Sequence, residues 1–207
     1  GQLDAAGGDL TIAATNGLAF ASPQGDGSSS TSTNVNSQQN TLGVAFDAGA
    51  GPFTMSTTLD VDFPGQSDFQ QAGIWFGLDE DNYIKVVVRE TGDANTMAFE
   101  ILREIGSDIA DGDSTVTNAV PEGPVTLFLD VDPVSGDLTA SYLLDGATDP
   151  VEIDTLTATP QGFFDGAPLP GGEAGSASYG GVFASARRAP VDDRIDAVFS
   201  DFAIDGG

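Results

Sequence analysis

The chain has 207 residues, with 32 Asp plus Glu against 6 Lys plus Arg, no Cys and no His, for a formal net charge of −26. So acidic a surface excludes nucleic acid and anionic membranes as partners, because both are bound by Lys and Arg neutralising phosphates. The missing Cys and His exclude ordinary zinc sites, thiol chemistry and His-based triads. A hydrophobic share of 40% is that of a globular chain, and 27 Gly and 11 Pro put many turns between the apolar runs, which predicts an all-β protein. The length suits one β-sandwich domain spanning 1–207. Three readings of the acidity compete: adaptation to salt, where a Debye length of about 3 Å at 1 M screens self-repulsion; calcium, which takes carboxylate and carbonyl oxygens; and a plain solvated surface. No apolar run approaches the roughly 18 residues that span a bilayer. The start, GQLDAAGGDL, has neither the basic nor the apolar region of a leader, and the Gly-containing ends predict a module cut from a longer polypeptide.

In chain order, Leu10 to Ala14 opens the first strand, and Leu18 to Phe20 resumes it after the turn signal Asn16-Gly17. Ser22 to Gln39, rich in Ser, Thr, Asn and Gly, reads as a long surface loop. Asn40 to Phe46 and Phe53 to Phe63 follow as strands. In the second, Phe53, Met55, Leu59, Val61 and Phe63 share one face with Thr57 filling a gap, so Asp60 and Asp62 point outward.

The centre of the pattern is Phe69 to Glu90. Ala72, Ile74, Phe76 and Leu78 alternate with Gln71, Gly73, Trp75 and Gly77. The triplet Asp79-Glu80-Asp81 with Asn82 then makes a turn, and Ile84, Val86 and Val88 resume the apolar face. This is a hairpin with one core face. Its other face holds Gln71, the single Trp75, Tyr83, Lys85, Val87 and Arg89.

Thr96 to Ile105 is a further strand, and Ser107 to Ser114 an acidic loop. Its Asp111-Gly112-Asp113 is like a fragment of a calcium loop but lacks the bidentate Glu of an EF-hand. Val125 to Val131 and Leu138 to Leu144 form a second hairpin, and Val151 to Thr157 an edge strand. Pro160 to Ser178 is a long loop in which Phe163 and Phe164 are core plugs. Tyr179 to Ala186 and Arg194 to Ile204 close the chain as strands joined by RRAPVDD. About a dozen strands and no convincing helix predict two antiparallel sheets packed as a jelly roll.

The phrases FTMSTTLDVDF, QQAGIWFGLDEDNYIKV and VFSDFAID, within segments covering about two thirds of the chain, resemble the concanavalin A-like lectin/glucanase superfamily. The likeness is nearest to the accessory, laminin-G-like β-sandwich domains of secreted bacterial glycosidases and sugar-oxidising enzymes. It implies a jelly roll with a concave sheet, often a carbohydrate ligand, often a calcium ion near the rim, and a secreted or cell-surface location. By analogy, Asp201 on the last strand, with Asp9 near the first, would hold a structural calcium.

The catalytic branch of that superfamily supplies its carboxylates as Glu-x-Asp-x-x-Glu, a motif this sequence lacks. Glu100 and Glu104 would stand roughly 13 Å apart along a strand at about 3.3 Å per residue. Asp60 and Asp62 would be near enough at about 7 Å, yet on a solvated strand. The sequence therefore reads as a non-enzymatic binding module for a polysaccharide or glycan, a monomer working beside other domains of a larger chain. Trp75 would be the stacking platform, with Gln71, Tyr83, Lys85, Arg89 and, from the closing loop, Arg187 supplying polar contacts. Burial of Trp75 in the core or under a loop is the competing reading of that face, and an interaction or spacer domain without a sugar site is the competing function. A hydrolase or lyase using another carboxylate pair ranks behind both.

Overall fold

The structure, a computed structural model, describes residues 2–6, 9–15, 41–63, 70–93, 95–106, 108–119, 121, 123–169, 177–185 and 194–206. The expected continuation Leu18 to Phe20, the loop Ser22 to Gln39 and Arg187 lie outside them. Two antiparallel sheets hold the described strands. The seven-stranded sheet runs, in spatial order, β1 (Gln2–Ala6), β2 (Asp9–Thr15), β13 (Arg194–Gly206), β4 (Phe53–Asp62), β9 (Val125–Asp132), β10 (Asp137–Leu144) and β11 (Val151–Leu156). The six-stranded sheet runs β3 (Thr41–Phe46), β12 (Ser178–Ser185), β5 (Gln71–Asp79), β6 (Asn82–Glu90), β7 (Thr96–Ile105) and β8 (Asp108–Ala119). The only described helix is one turn, α1 (Gly162–Asp165). This is the expected all-β sandwich.

Period-two patterning sets the inner faces. Phe53, Met55 and Leu59 of β4 and Leu127 and Leu129 of β9 meet Ala72, Ile74 and Phe76 of β5 and Ile84, Val86 and Val88 of β6 in one core. Phe76 is its aromatic hub, with ring centroids 5.7 Å from Phe53, 6.1 Å from Phe46, 6.3 Å from Phe163 and 6.1 Å from Phe164. Phe163 and Phe164 are the expected plugs, carried into the core by α1.

Thr57, the polar gap in the β4 pattern, also has a reason. Between Ser200 and Ala203 the register of β13 against β4 shifts, and Asp201 takes a left-handed backbone with φ 52°. The shift releases the Ser200 carbonyl from the ladder, and the fully buried Thr57 hydroxyl donates to it at 3.1 Å.

Two expectations need correction. Ser107 to Ser114, read as an acidic loop, belongs mostly to β8, which pairs with β7 from Ile105↔Asp108 to Thr96↔Ala119 through two register shifts. Local composition favoured a turn, but β7 offers a free ladder, and the described β8 residues stay largely exposed, as acidic and polar side chains require. A strand β1 precedes the expected first strand, pairing Leu3 with Ile12.

Candidate functional site

The face of the six-stranded sheet turned away from the core carries the residues singled out in the sequence. Register puts Gln71 beside Arg89, Gly73 beside Val87, Trp75 beside Lys85 and Gly77 beside Tyr83. On β7, Val87 faces Glu100 and Tyr83 faces Glu104. Lys85 Nζ lies 2.8 Å from Glu100 Oε1 and donates to Gln71 Oε1 at 2.8 Å. Arg89 Nε donates to Glu100 Oε2 at 2.8 Å, and the Tyr83 hydroxyl to Glu104 Oε1 at 2.5 Å. One carboxylate thus bridges two cations. Burial alone would raise the Glu100 carboxyl, but Lys85 and then Arg89 outweigh it and hold it below the usual carboxylate range.

The structure brings together five of the six expected binding residues, Gln71, Trp75, Tyr83, Lys85 and Arg89, but not as an open platform. Gln71, Tyr83 and Lys85 are buried, and Trp75 is only 7% exposed. Trp75, Tyr83, Val87 and Phe183 form a second hydrophobic cluster, separate from the main core. The reason is written in glycines. Trp75 is in register with Gly181 of β12, and Gly181 with Gly43 of β3. A Cβ at Gly43 would stand 2.8 Å from Trp75 Cζ2, so the indole reaches across β12 to β3 along a lane without side chains. Arg89 is the half-buried member of the set, with its side chain 17% exposed.

An open cleft lies at the rim of the same sheet. About 450 Å³ in volume, it is bordered by Ala45, Asp47, Phe164, Asp165 and Ser178. Asp47 Oδ1 accepts from the Gly49 amide at 3.2 Å and Asp165 Oδ1 from the Ala167 amide at 2.8 Å, which fixes both carboxyl groups on their turns. Next to Ser178 stands Tyr179, 36% exposed and flanked in register by Ala45 and Gly77, both too small to cover its ring. The sequence reading missed this group. Its signal was the phrase Ser178-Tyr179-Gly180-Gly181, an aromatic beside small residues on an outward position.

Asp9 and Asp201 are both exposed, near the Leu10↔Phe199 pair of β2 and β13. Two carboxylates supply at most four of the six to eight oxygens that calcium takes. Among the described residues no group of three or more His, Cys, Asp or Glu is placed to hold a metal. A cation there would depend on backbone carbonyls and water.

No protein-family model and no curated protein matches the sequence. Solved structures do match in shape. A functionally unknown protein from Saccharomyces cerevisiae has a TM-score of 0.61 at 13% identity, over 100% of this chain and 92% of that one. The GH43 protein BlXynB from Bacillus licheniformis has 0.63 at 12%, over 95% of this chain but 33% of that one, so the chain spans about a third of it. A legume lectin-like domain from Entamoeba histolytica has 0.54 at 8%, over 100% and 88%. At such identities the likeness shows the fold alone: a β-sandwich of the kind found in a legume lectin-like domain and in part of a GH43 protein.

Proposed function

We propose that the chain is a non-catalytic carbohydrate-binding module that holds a polysaccharide or glycan at the rim of the six-stranded sheet, against Tyr179 and the cleft of Asp47 and Asp165. One observation carries this reading: an open cleft bearing two turn-fixed carboxylates is bordered by Ala45, and the exposed Tyr179 pairs in register with that same Ala45. A sugar presents a C–H face that stacks on an aromatic ring and hydroxyls that donate to carboxylate oxygens. The fold neighbours, a lectin-like domain and a GH43 protein among them, support a sugar-related role.

Binding without covalent chemistry suits the site because Asp47 and Asp165 are exposed, whereas proton transfer to a glycosidic oxygen relies on a water-excluding cleft. The closed Trp75 cluster serves as the rigid floor from which the rim projects.

A glycan array followed by calorimetric titration tests the reading. Tyr179→Ala should weaken binding about tenfold or more with the melting temperature unchanged, since truncating a central aromatic contact removes a dominant share of binding energy. Equal binding by wild type and Tyr179→Ala would move the site elsewhere, and silence of the wild type across diverse glycans would remove the function.

A further inference from the structure

The lateral opening between the two sheets carries a second surface, distinct from the sugar rim. β3 is the outermost described strand of its sheet. Exposed sheet edges are ordinarily guarded by charge, proline or a bulge. Two of the other outermost described strands obey this rule: β8 has Asp108, and β11 has Glu152 and Asp154. β3, Thr-Leu-Gly-Val-Ala-Phe, has no charge at all in a chain of net −26.

Its core-side residues are nevertheless open, Leu42 being 48% and Val44 52% exposed. Together they make one wall of a groove of about 400 Å³, whose opposite wall is Leu10, Phe199 and Phe202. The strained Asp201, exposed at its bulge, stands at the lip. Register places Leu42 beside Val182 of the core, so the groove continues the inter-sheet space outward.

We propose that the β3 edge and this groove take up an extended peptide segment of a partner protein, alternating apolar with Lys or Arg side chains, as an added strand. The uncharged edge supplies the ladder, as in β-strand addition generally. Alternate apolar side chains of the guest fill the space between Val44 and Phe202. The basic side chains of the guest alternate onto the opposite face, away from the groove and beside the small Gly43 and Ala45, where the chain's net charge draws them. The field of a chain with net charge −26 attracts such a guest and repels a second copy of itself.

The test uses the folded chain and short fluorescein-labelled peptides. An alternating valine–lysine peptide is compared with its valine–glutamate counterpart and with a version broken by a central proline, by anisotropy and by amide hydrogen exchange. The valine–lysine peptide should bind and slow exchange across 41–46. Val44→Lys, at an exposed position that leaves the core intact, should weaken binding about tenfold. Raising the salt concentration should also weaken it, because the pull on the lysines comes from the chain's net charge.

Equal binding of the proline-broken peptide would reduce the effect to bulk charge and overturn the proposal. So would protection outside β3, or full affinity in Val44→Lys. Sedimentation showing self-association that Val44→Lys abolishes, with no peptide uptake, would assign the edge to a second copy instead.

Discussion

The two faces of the β5–β6 hairpin are both buried, yet they are built from different chemistry. The inner face buries Ala72, Ile74, Phe76, Ile84, Val86 and Val88 against the opposite sheet. Its stability comes from apolar area alone. The outer face buries Lys85, Glu100, Gln71 and Tyr83 beside Trp75 and Val87, so charges had to be taken out of water and each given a partner. Alternation in a sequence therefore identifies which residues share a face, but not whether that face is wet. A face with charges can be a second, polar-laced core.

Substitutions separate the two faces. The largest loss is expected from Phe76→Ala, about 3 to 5 kcal/mol by urea unfolding, because the hub ring touches four other phenylalanines and leaves a cavity the sandwich cannot close. Glu100→Gln comes next, at about 3 kcal/mol, since it leaves Lys85 buried and two cations without their shared carboxylate.

The second loss has a pH signature the first lacks. The folded Glu100 carboxyl is held below its ordinary value of 4.5. Its contribution is therefore complete above that value and disappears as pH falls through the lowered one. Denaturation midpoints measured from neutral to acid should fall more gently for Glu100→Gln than for wild type. Parallel acid limbs would show that the cluster contributes little.

A smaller effect, about 1 to 3 kcal/mol, is expected of Gly43→Ala. The new methyl meets the Trp75 ring at 2.8 Å and must push it off the glycine lane. Circular dichroism melting gives the cost, and a red shift of the tryptophan emission would show that the outer face, and not β3 itself, was disturbed. Smallest of all is chelation. Among the described residues no cluster of carboxylates joins Asp9 and Asp201 to hold a metal, so EDTA in low salt should shift the melting temperature by no more than about 2 °C.

Much of this architecture was legible in the residues. Phe53 to Phe63 announced β4 and its outward Asp60 and Asp62. The acidic turn at 79–82 joined β5 to β6, and Thr96 to Ile105 matched β7. β8 was hidden because Asp108 to Ser114 has the composition of a turn, and only the neighbouring β7 ladder makes it a strand. The closed state of Trp75 was hidden for a related reason. It depends on Gly43 and Gly181 arriving in register from strands far apart in the chain. The rim site was missed because Tyr179, Asp47 and Asp165 come from separate segments that only the fold brings to one end of the sheet.

Trp75 is the sole tryptophan of the chain, so its fluorescence reports one position on the outer face. Acrylamide quenching of the native protein, compared with the same protein in urea, tests most directly whether that face is closed. A blue-shifted emission that resists quenching until the chain unfolds is the expected result, and it leaves the sheet rim as the proposed surface for a sugar. Quenching of the native protein as strong as that of the unfolded chain would mean an open indole platform and would contradict the account.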